Sequence, residues 1–121
     1  MTETTALVER YITAWNADSA ESRAAAVDAV WAEDGGYTDP LVSVRGRDRI
    51  AAVLAGAHDQ FAGFVFRLAG AVDAHHDTAR FTWELVPATG GEALVVGFDV
   101  VSLDKEGKIR DVYGFLDKVP S

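Results

Sequence analysis

The 121-residue chain reads as an α+β protein in which three helices cover one face of a curved antiparallel sheet. Two observations predict this. Apolar residues recur at helical spacing up to about Phe61, and from Phe64 the period changes to two. The strand-like runs in the second half are joined by short polar or glycine-rich turns, which makes them an antiparallel meander, and three helices in series can cover only one of its faces.

The first helix covers Thr5 to Ala17, with Leu7, Val8, Tyr11, Ile12 and Trp15 as its buried stripe. Asn16, Asp18 and Ser19 interrupt it, and Asp18 followed by Glu21 resembles a capping pair for the second. That helix has Ala24, Val27, Val30 and Trp31 as its inner stripe and is expected to stop at Glu33, Asp34, Gly35 and Gly36, because paired glycines weaken a helix. Tyr37 to Asp39 is a short extended segment, with Pro40 biasing Asp39 toward an extended backbone. The third helix starts near Gly46 or Arg47, buries Ile50, Val53, Leu54, Ala57 and Phe61, and ends before Gly63. Strands follow at Phe64 to Asp73 and Ala79 to Leu85, with His75, His76 and Asp77 as the turn between them. Pro87, Thr89, Gly90 and Gly91 make the next turn, Ala93 to Leu103 the next strand, Asp104 to Gly107 a further turn and Ile109 to Leu116 the last strand.

Composition limits function. Eleven Lys and Arg against nineteen Asp and Glu leave a net charge of −8, spread along the chain, which argues against nucleic acid and anionic membrane as partners. With no cysteine, chemistry falls to carboxylates, Tyr, His, Ser or Arg. Met1 to Ala6 is polar, without the basic and apolar regions of a secretion signal, and no apolar run is long enough for a membrane span. A cytoplasmic chain forming one domain over residues 1–121 is the expectation.

Polar groups in apolar surroundings are the candidates for chemistry. Asp99 interrupts the run Leu94 to Val101, which is apolar on both faces and so reads as a central strand. Burial would favour its neutral form, and a protonated carboxyl can donate a hydrogen bond to a forming anion. The alternative is a structural carboxylate on a half-exposed face, or one that accepts from Arg80 or Arg110. Tyr11 is either a core tyrosine or a hydroxyl aimed at a site. Asp39 is either an Asp-Pro turn residue or a general base at the mouth of a cavity between helices and sheet. Trp15, Trp31, Tyr37, Phe61, Phe66, Phe81, Trp83 and Tyr113 supply aromatic surface that can line such a cavity for a flat hydrophobic ligand. His58, His75 and His76 with Asp77 read as solvated rather than metal-binding, since adjacent strand residues face opposite ways. Gly90-Gly91 and Gly107 belong to hairpins and open no helix, so no phosphate loop is expected.

The stretches Glu9-Arg10-Tyr11-Ile12-Thr13-Ala14-Trp15-Asn16-Ala17, Tyr37-Thr38-Asp39-Pro40, Gly97-Phe98-Asp99 and Asp104-Lys105-Glu106-Gly107-Lys108-Ile109 resemble the ketosteroid isomerase branch of the NTF2-like (SnoaL-like) superfamily. The resemblance implies a cone of three helices wrapped by a curved antiparallel sheet, paired as a homodimer through the outer sheet face. It also implies an isomerase-like enzyme acting on a steroid-like or polyketide-like molecule, with Asp39 as base, Tyr11 and protonated Asp99 as donors to an enolate oxygen, and neither metal nor cofactor. The superfamily also holds polyketide cyclases and proteins that only bind small hydrophobic ligands, so both remain alternatives. Its epoxide hydrolases need an Arg and an Asp two apart on a strand, whereas Arg80 is followed at that spacing by Thr82. The ending Asp111-Val112-Tyr113-Gly114-Phe115-Leu116-Asp117 is closer to the broad SnoaL-like group. The segment from Tyr11 to Asp39 is longer than in the isomerases by roughly one helical turn, which leaves open whether the two side chains reach one pocket.

Overall fold

A computed structural model describes residues 3–120. The first helix, α1 (Glu3–Trp15), buries Leu7, Val8, Tyr11, Ile12, Ala14 and Trp15. The second, α2 (Ala20–Val30), begins one residue away from the expected capping pair. Ser19 is its N-cap: the Ser19 hydroxyl accepts from the Ser22 amide at 3.0 Å, and the Ser22 hydroxyl accepts from the Ser19 amide at 3.3 Å.

Helix α2 also ends earlier than its apolar spacing suggests. Trp31 opens a strand, β1 (Trp31–Thr38), so the glycines do not terminate a helix. Cations from distant segments satisfy the carbonyls that the helix leaves open at its end. Lys108 Nζ donates to the Asp28 and Ala29 carbonyls at 3.0 Å, and the Arg47 guanidinium donates to those of Asp28 and Trp31. Gly35 and Gly36 sit within β1 because neighbours approach closely there. A Cβ on Gly35 would lie 2.8 Å from the Trp31 ring, and one on Gly36 would lie 2.6 Å from an Asp111 oxygen engaged by Arg45.

A three-residue strand, β2 (Ser43–Arg45), absent from the sequence reading, pairs antiparallel with β1. Helix α3 (Arg47–Gln60) follows, with Ile50 and Leu54 buried. The remaining strands are β3 (Phe64–His75), β4 (Thr78–Pro87), β5 (Val95–Leu103) and β6 (Ile109–Lys118). The β3 to β6 meander is antiparallel as expected. The sheet as a whole is not: β1 lies parallel to β6, giving a mixed, six-stranded, unclosed sheet in the order β2-β1-β6-β5-β4-β3. A parallel neighbour could not be read from hairpins, since it requires a crossover, here the whole of the chain from β2 to β5.

Two devices fix the helical layer against the curved sheet. The register of β3 against β4 shifts between Ala69 and Asp73, where Gly70 takes a positive φ of 81°, a bulge that bends the strand. Asn16, just past the end of α1, acts as a substitute strand on the free edge of β3: its Nδ2 donates to the Phe66 carbonyl at 2.7 Å and its Oδ1 accepts from the Phe66 amide at 2.8 Å. The core lies between, with Val8, Val27, Val30, Ile50, Leu54, Val101, Ile109 and Val112 almost fully buried. No helix among the described residues is long and apolar enough to cross a membrane.

Candidate functional site

The layers do not meet along their whole length. Between α1, α3 and the concave sheet face opens a cavity of about 750 Å³. Trp15, Tyr37, Phe61, Phe66, Trp83, Leu85 and Val95 contribute apolar walls, and the exposed Leu41, Phe115 and Val119 stand among its outer lining residues.

Tyr11 and Asp99 form its closed end, at 1% and 2% exposure. The Tyr11 hydroxyl donates to Asp99 Oδ2 at 2.7 Å. Tyr11 is placed there by the α1 stripe and by its ring packing on Trp15, Trp31 and Phe81, with centroids 5.3 to 6.3 Å away. Asp99 is the only buried charged residue among those described. Its niche is made by glycines on both neighbouring sites of the sheet. Gly97, two residues before it on the same face of β5, leaves space for the Trp83 indole, which a Cβ would overlap. Gly114 faces Asp99 across β6.

Burial pushes the Asp99 carboxyl up to about 6, against the polar groups of Tyr11 and Trp83 that hold it down and with a small further push from the charge of Asp39. Burial also raises the Tyr11 phenol well above its ordinary value, and the Asp99 charge adds to this. Neither Arg80 nor Arg110 serves Asp99; Arg80 pairs with Asp73 at 3.0 Å.

Asp39 belongs to the same cavity. Its Oδ1 accepts from the amides of Leu41 and Val42 at 2.8 and 3.0 Å, and its Oδ2 accepts from the Tyr37 hydroxyl at 2.7 Å. This is the Asp-Pro turn and the cavity carboxylate in one residue. Burial raises the Tyr37 phenol strongly, with the charges of Asp99 and Asp39 acting in the same direction. The point where a Gly114 Cβ would stand is 2.9 Å from Asp99 Oδ1 and 3.4 Å from Asp39 Cβ, so only the missing side chain of Gly114 separates the two carboxyl residues. The segment between Tyr11 and Asp39 forms α2 and β1, and both side chains line the same cavity.

Of the aromatic residues considered as lining, Trp15, Tyr37, Phe61, Phe66 and Trp83 face the cavity, while Trp31, Phe81 and Tyr113 do not. Trp31 and Phe81 are wholly buried behind the Tyr11 ring, and Tyr113 is 48% exposed on the opposite face of β6. The sequence reading missed Arg49, Ala52, Gly56 and Gln60 of α3 as lining residues. Their signal was present as a stripe beside the buried one, but small and charged residues there look like a solvated surface. His75 and His76 lie exposed at the β3–β4 turn, His76 with φ 52°.

Comparison with known proteins supports this description. Residues 8–112 match the SnoaL-like domain family. The structure superposes with a TM-score of 0.90 on a protein from Agrobacterium tumefaciens named "a putative isomerase of the SnoaL-like family", at 41% identity over 97% of this chain and 99% of that one. A protein from Jannaschia sp. named "Putative SnoaL-like polyketide cyclase" shares the fold at a TM-score of 0.76 and 16% identity, covering 94% of this chain and 85% of that one. An NTF2-like protein from Novosphingobium aromaticivorans does so at 0.72 and 22%, covering 95% and 80%. No curated protein matches. By the match over most of its length, the chain belongs to the SnoaL-like family, and it has the fold of the NTF2-like protein from Novosphingobium aromaticivorans.

Proposed function

We propose that this protein is an isomerase-like enzyme that moves a proton next to a carbonyl of a hydrophobic, steroid-like or polyketide-like molecule through an enolate. The observation that carries the reading is the Tyr11–Asp99 hydrogen bond at the closed end of an apolar cavity, with Asp39 on the other side of Gly114. The relative named as an isomerase supports it.

In this mechanism a substrate carbonyl oxygen sits against Asp99. Asp39 takes a proton from the adjacent carbon, and the C–H electron pair moves through the new C=C bond onto the oxygen. Protonated Asp99, backed by Tyr11, stabilises the enolate by donating a hydrogen bond. Asp39 then returns the proton to a different carbon of the conjugated system, so the product is an isomer and nothing is oxidised or reduced. A ligand that fills the cavity removes water from Asp99 and favours the neutral form the step needs. The same groups can serve an aldol-type cyclisation of a polyketide.

One observation favours a binding protein without turnover. Both oxygens of Asp39 are already engaged, by three donors. Incubation with a β,γ-unsaturated cyclic ketone, read by the ultraviolet absorbance of the conjugated product, separates the two. Turnover that falls by about 10²–10⁴-fold in Asp39→Asn and about 10²–10³-fold in Asp99→Ala is expected. Binding of 2-naphthol, a phenolic enolate mimic, that is unchanged in Asp99→Ala, together with no conjugated product, would reject the enzyme reading.

Pairing of two copies through the outer sheet face belongs to the same reading. Tyr113, exposed on the face of β6 opposite Gly114, supports it. The mass in solution by analytical ultracentrifugation tests it.

A further inference from the structure

One face of α3 forms a wall of the cavity: Arg49, Ala52, Val53, Gly56, Ala57 and Gln60 all line it. Their steps of three and four residues place them in a single stripe, which at 1.5 Å per residue runs for about 16 Å. The middle is made of small or short apolar side chains, against which a flat ring system can lie close to the helix backbone. Only the two ends are polar.

Arg49 is the only cation among the described residues that line the cavity, and it has no ion pair or hydrogen bond with any of them. Its neighbours in sequence are occupied: Arg45 holds Asp111 and Arg47 holds the end of α2. Arg49 is exposed, whereas Tyr11 and Asp99 are almost fully buried, so the cation marks the open end of the cavity and the Tyr11–Asp99 pair its closed end. The polarity along the cavity is therefore fixed. A carboxylate placed at the closed end would meet Asp99 and Asp39; placed at the open end it meets a guanidinium, whose planar fork matches its two oxygens.

We propose that the ligand of this cavity is an apolar keto acid, its carboxylate held by Arg49 at the mouth and its carbonyl oxygen directed to Asp99. The proposal rests on the enolate reading for the carbonyl end and adds the anionic end. Arg49 acts as a specificity-determining residue, which both attracts the acid and excludes the reversed orientation.

Isothermal titration calorimetry at pH 7.5 with two matched probes tests it: 6-hydroxy-2-naphthoic acid, with a phenol at one end and a carboxylate at the other, and the neutral 6-hydroxy-2-naphthamide. The acid is expected to bind the unaltered protein about tenfold more tightly than the amide. Arg49→Gln brings the two within about twofold, Arg49→Glu makes the amide the tighter ligand, and 0.5 M salt shrinks the preference because the mouth is open to solvent. Equal binding of acid and amide to the unaltered protein overturns the proposal, as does a preference that survives Arg49→Gln. The enolate reading fails separately, when neither probe binds or when Asp99→Ala leaves both affinities unchanged. Thermal unfolding of each variant confirms that the exposed substitution leaves the fold intact.

Discussion

Replacing Asp99 by Asn should make the protein more stable, and only above a particular pH. The Asp99 carboxyl is 2% exposed, and burial raises it from an ordinary 3.8 to about 6. The folded protein thus holds this proton more tightly than the unfolded chain does. Between about pH 4 and pH 6 the native state binds more protons, so stability falls as pH rises through that window and levels off above it. A difference of roughly two pKa units corresponds to about 3 kcal/mol that ionised Asp99 costs the native state at pH 8. Asn keeps the shape and a carbonyl oxygen to accept from Tyr11, but it never ionises.

Urea unfolding of the two proteins at intervals from pH 4 to pH 8 isolates this cost, because every other group titrates alike in both. The stability difference, Asn variant minus unaltered protein, should grow by about 2.5 kcal/mol across the series, the unfolded carboxyl being already half ionised at pH 4, and reach its plateau near pH 7. At a slope of ~1.5 kcal/mol per molar urea this separates the midpoints by about 2 M at pH 8 relative to pH 4. A difference that does not change with pH would show that Asp99 titrates as an ordinary carboxylate, and would remove the physical basis for treating it as a hydrogen-bond donor.

Three further outcomes follow from the packing. Asn16→Ala removes both hydrogen bonds to the Phe66 backbone and should cost about 1–3 kcal/mol in urea unfolding, with faster hydrogen exchange at the Phe66 amide. Gly97→Ala places a methyl where the Trp83 indole lies; a loss of about 1–3 kcal/mol and a shifted tryptophan emission are expected, and an unchanged spectrum would contradict the packing. Gly56→Ala has no heavy atom within 4 Å of the added Cβ and sits inside α3, so it should raise stability by ~0.5–1 kcal/mol while weakening binding of the hydroxynaphthoic acid probe.

Much of this arrangement was readable from residue spacing. The α1 stripe and the β3 to β6 meander follow from local periodicity, since each residue's burial depends on neighbours three, four or two positions away. Trp31 shows where that logic ends. Its spacing from Val27 and Val30 fits a helix, but Lys108 and Arg47 satisfy the α2 carbonyls and β6 supplies a parallel partner, all far along the chain. Trp31, Phe81 and Trp83 show a second limit. All three have buried or half-buried rings, and whether such a ring fills the core or borders a cavity depends on what the opposite layer provides. Asp99 was conspicuous because a carboxyl in an apolar strand breaks the pattern. Arg49 was not, because a charged residue next to a helical stripe is what any solvated surface shows.

The roles proposed for the two carboxyl residues come from their surroundings, since the side chains are chemically the same. Asp99 is buried, with a raised carboxyl, and its place in the sheet depends on Gly97 and Gly114 having no side chains. Asp39 is half-buried at the turn after β1, where two backbone amides and the Tyr37 hydroxyl donate to its oxygens. In the proposed mechanism these different surroundings are what assign the acid role to Asp99 and the base role to Asp39. Exchanging those surroundings, rather than the residues, is what would destroy the distinction. A side chain at Gly114 does this most directly, because it would occupy the space between the two carboxyl residues and force one of them to move.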